Sequence, residues 1–312
     1  MRRIFKTIED HLTECTTLEK GVWVHLQSPT KEEVDGLTTR FNLDPTFLPA
    51  ALDEEESARI DYDSDKQQTL IIVDIPYVDT EGTGYVYSTI PLGIVLCDEV
   101  IITVCDTPII NDFTEERIRN FWTFKRTRFI LQILQRNAGR FLSYLKQIDK
   151  TSQHIQEKLE HTSRNQELLQ MMKLEKSLVY FNTSLKGNAL VMERLMRQDI
   201  LKRYPEDTDL LEDVIIENKQ AIEMAKIYSD ILSGTMDAFA SVISNNLNIA
   251  MKFLSVITIV LTVPTIVTSA LGMNVRGIPF ANNPYGFWIV VGISLLMTLA
   301  AGAIIAKNKH FK

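Results

Sequence analysis

Between Phe253 and Leu271 the sequence sets hydroxyls at Ser255, Thr258, Thr262, Thr265 and Ser269, alternating three and four residues apart. That spacing puts all five on one side of a helix. The register visits no other position in these 19 residues, and Thr268 is the one hydroxyl outside it. Followed backward, it meets Met251, Asn248, Ser244, Ser241, Asp237, Gly234 and Asp230, nearly all small or polar. A coiled-coil seam is ordinarily apolar; this one is polar and its flanks are apolar. The chemistry such a stripe can do is to offer oxygen to water or to a hydrated cation. Two readings compete. Ser and Thr in apolar helices bond back to a carbonyl one turn earlier or join helices together. Alternatively, polar groups at membrane depth line a water-filled cavity. Continuity with Asn248 and Asp237 favours a wet axis shared by several copies of the helix, with a narrow apolar constriction near Met251 and Leu254.

Just past the stripe stands Gly272-Met273-Asn274, in a stretch from Thr268 to Trp288 that contains no Asp, Glu, His or Cys. An Asn side chain offers a carbonyl acceptor and an amide donor without net charge. A ring of such carbonyls suits a hydrated ion, whose waters donate to it, and Mg2+ gives up its waters reluctantly. A pore without carboxylates can pass such an ion and still release it. Gly-Met-Asn also reads as a plain helix C-cap, and Gly272 would let the chain turn tightly.

The elements that hold these residues follow from hydropathy. Phe253–Leu271 and Phe287–Ala306 are uncharged runs of 19 and 20 residues, each near the roughly 20 needed to cross a bilayer. Lys252 and the tail "KNKHFK" carry four basic residues, and the connecting loop carries only Arg276. By the positive-inside rule both termini are expected in the cytoplasm and the loop 272–286 outside, with Tyr285, Phe287 and Trp288 at the outer interface. One hairpin encloses no pore, so a ring of copies is expected, the first span inside and the nearly all-apolar second span facing lipid.

Charge divides the chain sharply. All 40 Asp and Glu precede residue 252, giving residues 1–251 a formal −12 and residues 252–312 a formal +5. This excludes the basic stripe that nucleic-acid binding needs; it suits a surface that meets cations, and equally ordinary solubility. Cys15, Cys97 and Cys105 have no ligand spacing, which points to a reducing compartment without a disulfide framework. "MRRIFKTIEDHLTEC" has no apolar core and is not a signal peptide. The five histidines, His11, His25, His154, His161 and His310, have no triad or metal spacing; each is expected exposed or as a satisfied core group. The chain shows no Walker A loop and no GxGxxG, so no organic cofactor, catalytic constellation or ATP-driven pump is indicated.

From about 20 to 106, strand-like runs (Gly21–Leu26, Gln68–Val78, Tyr85–Asp98, Glu99–Asp106) alternate with a capped helix start at Ser28–Leu37 and a shorter one at Asp44–Asp53. Gly82–Gly84 reads as a hairpin turn. The fold class expected is an α+β membrane protein: a mixed α/β domain over 1–108, a long helical hairpin over 109–208 and a stalk helix over 209–252. Spans at 253–271 and 287–306, joined by the loop 272–286, and a basic tail 307–312 complete it. A final helix continuous from Leu210 to Leu271 would be about 90 Å long.

This arrangement resembles the CorA family of divalent-cation channels, the two-transmembrane GxN superfamily. The matching pieces are Gly272–Asn274, the two C-terminal spans, "SNNLNIAMKFLSVI" (Ser244–Ile257) and "SDILSGTMDAFASVISNN" (Ser229–Asn246). The resemblance implies a homopentamer with a cytoplasmic funnel, a Gly-Met-Asn ring selecting hydrated Mg2+, and gating by intracellular Mg2+. It also implies divalent ions bridging an acidic residue of the α/β domain to the stalk of a neighbour, for which Asp79 or Glu81 and Asp213 stand in matching places. A solvated acidic surface is the plainer reading of these three. The outer loop here lacks the family's acidic residues, and Leu271 stands where a Tyr is common. The zinc-transporting ZntB branch has neutral loops of this kind, which keeps Zn2+ open, although the membrane section has no His or Cys. A non-conducting, membrane-anchored sensor or scaffold is the third reading.

Overall fold

The computed structural model describes residues 1–9, 11–79, 86–107, 121–161, 165–198, 200–201, 204–273, 279 and 283–307, without the side chains at 79, 160, 161, 165 and 306. They divide into two compact units, Met1–Met236 and Asp237–Lys312.

The first unit is built on a seven-stranded sheet: β1 (Arg2–Ile8), β2 (His11–Cys15), β3 (Trp23–Gln27), β4 (Arg59–Asp63), β5 (Gln68–Asp79), β6 (Val86–Leu96) and β7 (Ile101–Cys105). Its spatial order is β2-β1-β3-β7-β6-β5-β4. Only the β3–β7 pairing is parallel. The central strands are apolar on both faces, because both are covered. Alternation splits β5 so that Ile71, Val73 and Ile75 join one core while Leu70 and Ile72 join the other. One face carries α1 (Lys31–Arg40) and α2 (Phe47–Ala50). Thr30 caps α1 with a full capping box, its hydroxyl accepting from Glu33 N while the Glu33 carboxylate accepts from Thr30 N. On the same face Gly93 lies so close to Ala51 that a Cβ there would overlap it.

The opposite face carries α3 (Arg126–His161) and α4 (Asn165–Arg197). Asn188 fastens α4 to β5: its Oδ1 accepts from Asp74 N at 2.8 Å and its Nδ2 donates to Asp74 O at 2.8 Å, while Asn137 of α3 donates to the same carbonyl at 2.7 Å. The two long helices expected from Ile109 onward are present, but α3 begins at Arg126, with residues 121–125 outside it and 108–120 outside the described residues. Two elements of the sheet were not expected from the sequence: the β1–β2 hairpin and β4.

Helix α5 runs over Pro205–Leu271, 67 residues, five earlier than the Leu210 start expected. The proline in "RYPEDTD" (203–209) predicts a break between helices, yet Pro205 itself occupies the first helical position, where its missing N–H costs nothing. Asp207 accepts from Tyr204 N at 3.2 Å, closing the first turn. The second unit comprises the rest of α5 and α6 (Gly286–Lys307). Both are long and apolar enough to cross a membrane, and their apolar windows are almost wholly unburied.

Candidate functional site

The five hydroxyls of the stripe, Ser255, Thr258, Thr262, Thr265 and Ser269, are all exposed. The half-buried positions of the same segment are Val256, Val260, Val263, Pro264, Val267 and Leu271. At about 100° per residue the two sets lie roughly 170° apart around the helix. On α6 the buried and half-buried positions include Gly286, Val290, Ser294, Thr298 and Gly302, small residues at four-residue steps. A hollow of about 370 Å³ separates Pro264 and Thr268 from Val291, Ser294, Leu295, Thr298 and Leu299. One side of the first span therefore faces the second span, and the hydroxyls take the other side.

Four of the five hydroxyls bond back to their own helix. Ser255 donates to Met251 O and Thr258 to Leu254 O, each at 2.8 Å; Thr262 donates to Thr258 O and Thr265 to Leu261 O, each at 2.7 Å. Back-bonding, one of the two readings open in the sequence, is thus present. It does not remove the other, since the proton is spent inward while two lone pairs remain on each oxygen. The stripe presents acceptors, which is what the donor waters of a hydrated cation require. Thr268, off the register, does the same toward Pro264 O at 3.0 Å and Thr265 O at 3.1 Å.

Gly272 donates its N–H to Thr268 O at 2.9 Å, the last bond of the helix. Its φ is not left-handed; Gly21 is the described glycine that has a positive φ. A Cβ there would lie 3.1 Å from Thr268 O, a close approach; the chain that would complete the tight turn, 274–278, lies outside the described residues. Met273 is 54 % exposed. Asn274 lies outside the described residues, as do Arg276, Glu81 and the Gly82–Gly84 turn.

Below the span, Asp237, Ser241, Ser244, Asn248, Met251 and Leu254 are all exposed, as is Asp230 in the first unit. So are their apolar neighbours Val242, Leu247, Ile249 and Phe253. From Ala240 to Ser255 the helix is exposed on every side, although its flanks carry the apolar residues that ordinarily seek a partner.

Asp213 is exposed on α5, beside Glu217. Burial first, and the Asp213 carboxylate second, hold Glu217 above the usual carboxylate range. Asp79 ends β5, and its side chain is outside the described set. Among the described residues, no group of three or more His, Cys, Asp or Glu side chains could hold a metal. His25 is fully buried: its Nδ1 lies 2.9 Å from Thr103 Oγ1, which also accepts from Trp23 Nε1 at 2.7 Å, and its Nε2 has no partner. The expectation of a satisfied core histidine thus holds for one ring nitrogen only. Desolvation, then Arg3 and the N-terminus, bring its pKa down to about 4. Cys97 and Cys105 are buried free thiols.

Known proteins bear directly on this geometry. Residues 19–307 match the family model described as "CorA-like Mg2+ transporter protein". The chain is 26 % identical over 287 residues to the cobalt/magnesium transport protein CorA of Methanocaldococcus jannaschii, covering 89 % of this chain and 87 % of that one. The complete structure of the CorA magnesium transporter from that organism superposes with a TM-score of 0.81 at 24 % identity, covering 99 % of this chain and 98 % of the other. The cytoplasmic domain of ZntB from Vibrio parahaemolyticus is similar in fold, with a TM-score of 0.58 at 12 % identity over 79 % of this chain and 97 % of that one.

Proposed function

Since the chain belongs to the CorA family of divalent-cation transporters, we propose that it assembles as a homopentamer around the Ser255–Ser269 stripe and conducts hydrated Mg2+, with Co2+ or Ni2+ as further cargo. The observation that carries this reading is the position of the hydroxyls, exposed and turned away from the second span. In a ring of copies that side meets the axis, and the second span meets lipid. Residues 253–271 line the pore, the loop 272–286 lies outside, and the basic tail 307–312 lies with the N-terminal part in the cytoplasm of a plasma-membrane protein.

Each residue then has a physical task. Asn274 crowns the outer mouth, with Gly272 and Met273 shaping the ring, and its carbonyl accepts from the ion's waters. The hydroxyl oxygens carry the hydrated ion through, without a carboxylate to trap it. Met251 and Leu254 form the constriction, and Asn248, Ser244, Ser241, Asp237 and Asp230 line the funnel beneath. The apolar flanks Val242, Leu247 and Ile249 become the contacts between copies. The membrane potential drives entry with about 4.6 kcal/mol per divalent ion at 100 mV. Intracellular Mg2+ gates it by bridging Asp213 of one copy to Asp79 or Glu81 of the next. Losing that ion leaves like charges facing each other, and the funnel loosens.

The test is Mg2+ uptake into liposomes holding the purified chain. Asn274→Ala should abolish uptake while leaving the assembly intact; normal uptake would defeat the selectivity claim. A ZntB-like Zn2+ transporter is the second reading, favoured by an outer loop without acidic residues. Metal-resolved flux with and without a pH gradient separates the two. A protein that passes no divalent ion under any Mg2+ condition would instead be an anchored sensor or scaffold.

A further inference from the structure

The geometry points to a nucleotide-binding cleft in the first unit, at the β4 edge of the sheet, that takes a phosphate group and a flat ring. An open cleft of about 1020 Å³ lies where β4, β5 and β6 meet the start of α3 and the end of α4. Small-molecule sites occupy about 300–1,000 Å³, so it is large enough for a nucleotide.

The described lining of this cleft is basic, in a domain that is acidic as a whole. Among the described lining residues are Arg126 and Arg194 and no Asp or Glu, in a segment whose formal charge is −12. Alternation along β4 keeps the acids of that strand out of the cleft. Ile60 and Tyr62 face the cleft, and Arg59, Asp61 and Asp63 alternate with them on the strand's other face. Arg59 there pairs with Asp61 at 2.7 Å and with Glu56. On the far side of Arg126, Glu206 and Asp207 are occupied by Arg128, at 3.4 and 3.7 Å.

The two guanidiniums are anchored on neutral groups. Arg194 Nη1 donates to Ile60 O at 2.9 Å and its Nε to Gln198 Oε1 at 3.3 Å; Arg126 Nη2 donates to Asp98 O. Each guanidinium carries five N–H donors, so both keep donors for a ligand while held by the backbone. A planar fork of that kind matches phosphate oxygens two at a time. Arg126 and Thr127 also open the 36-residue helix α3, whose N-terminal pole favours an anion at the same wall. The remaining lining suits the rest of a nucleotide. Tyr62 stands 52 % exposed at the rim, available to stack on a base. Ile60, Leu96 and Leu201 form an apolar wall, and Gln67 and Thr69 supply hydrogen bonds. With no P-loop in the chain, the role is binding, and the cleft would report nucleotide to the transporter without hydrolysing it.

The test is calorimetric titration of the purified full chain, stripped of Mg2+ with EDTA, using ATP, ADP and inorganic phosphate. Removing Mg2+ first prevents chelation by the nucleotide from imitating a site. Saturable binding of ATP, one per chain, is expected, at least tenfold weaker in Arg126→Ala and in Arg194→Ala. Tyr62→Ala should weaken ATP and leave inorganic phosphate unchanged. Should an alanine variant fail to fold, Arg194→Lys keeps the charge and loses the fork, with the same tenfold loss expected. No saturable ATP binding in the millimolar range, or binding undiminished in the arginine variants, overturns the proposal. Inorganic phosphate binding as tightly as ATP overturns the nucleotide and leaves a simple anion site.

Discussion

Replacing Thr262 by Val separates the two jobs a stripe hydroxyl can do. Thr262→Val keeps the branched shape and removes one O–H, which now donates to Thr258 O at 2.7 Å. That carbonyl lies within a continuous helix, so losing the extra donor costs the fold little. In a conducting ring the loss is different, because every copy loses an outward oxygen that accepts from the ion's waters. A net hydrogen bond is worth about 0.5–1.5 kcal/mol. If two copies touch the hydration shell at once, passage is penalised by about 1–3 kcal/mol, a slowing of roughly 5- to 150-fold. Thr268 supplies the control, since it back-bonds in the same way and stands off the register. The assay is Mg2+ flux into proteoliposomes at matched protein density, with thermal unfolding as the check on folding. Thr262→Val should lose at least fivefold in flux with an unchanged unfolding midpoint, and Thr268→Val should lose less than twofold. Equal losses in the two variants, or none in either, would refute the reasoning.

Further predictions rest on the first unit. His25 has its pKa depressed to about 4, so the unfolded chain binds a proton first as pH falls through 6.5. The native state then loses about 2 kcal/mol by pH 5, and chemical unfolding of His25→Gln should show a pH 7-to-5 drop smaller by that amount. Gly93→Ala puts a methyl into Ala51 and 2.9 Å from Val104 Cγ1; overpacking should cost about 1–3 kcal/mol, read as a lower unfolding midpoint. Asp207→Ala removes both the Tyr204 N acceptor and an anion beside Arg128. Because Arg128 keeps Glu206, the loss should be about 1–2 kcal/mol, chiefly that of the capping bond, and Asp207→Asn should recover part of it.

The membrane half was legible in the sequence because its signals are local and repeated. Two uncharged runs set the spans, and a 3–4 alternation of hydroxyls set the side, with no tertiary knowledge needed. The structure added which side of the first span meets the second, since Val256, Val260, Val263 and Val267 are as apolar as the exposed residues beside them. In the first unit, β3, β5, β6 and β7 were readable as buried apolar runs, and α1 from its capping box. The β1–β2 hairpin was not, because edge strands such as His11–Cys15 are mostly exposed and carry polar residues. Strand β4 reads "RIDYD", three charges in five residues, and its two inward side chains were too few to stand out. At Pro205 the telling signal is Asp207, two residues on, whose carboxylate accepts from Tyr204 N and marks a helix start rather than a break. The arginine cleft was invisible because Arg126 and Arg194 lie 68 positions apart in the chain and come to line one cleft only where the sheet edge closes on the two helices.

Water access to the stripe tests the central claim most directly. Cysteines placed one at a time by Ser255→Cys, Thr258→Cys, Thr262→Cys, Thr265→Cys and Ser269→Cys, and for comparison by Val256→Cys, Val260→Cys and Val263→Cys, would be challenged with a charged, membrane-impermeant thiol reagent. Cys15→Ser removes the partly exposed native thiol, while Cys97 and Cys105 are buried. Modification of the five stripe positions with block of Mg2+ flux, and no reaction at the three valine positions, is the expected result. Stripe cysteines that stay unmodified in a conducting protein, or valine-face cysteines that react as fast, would contradict it.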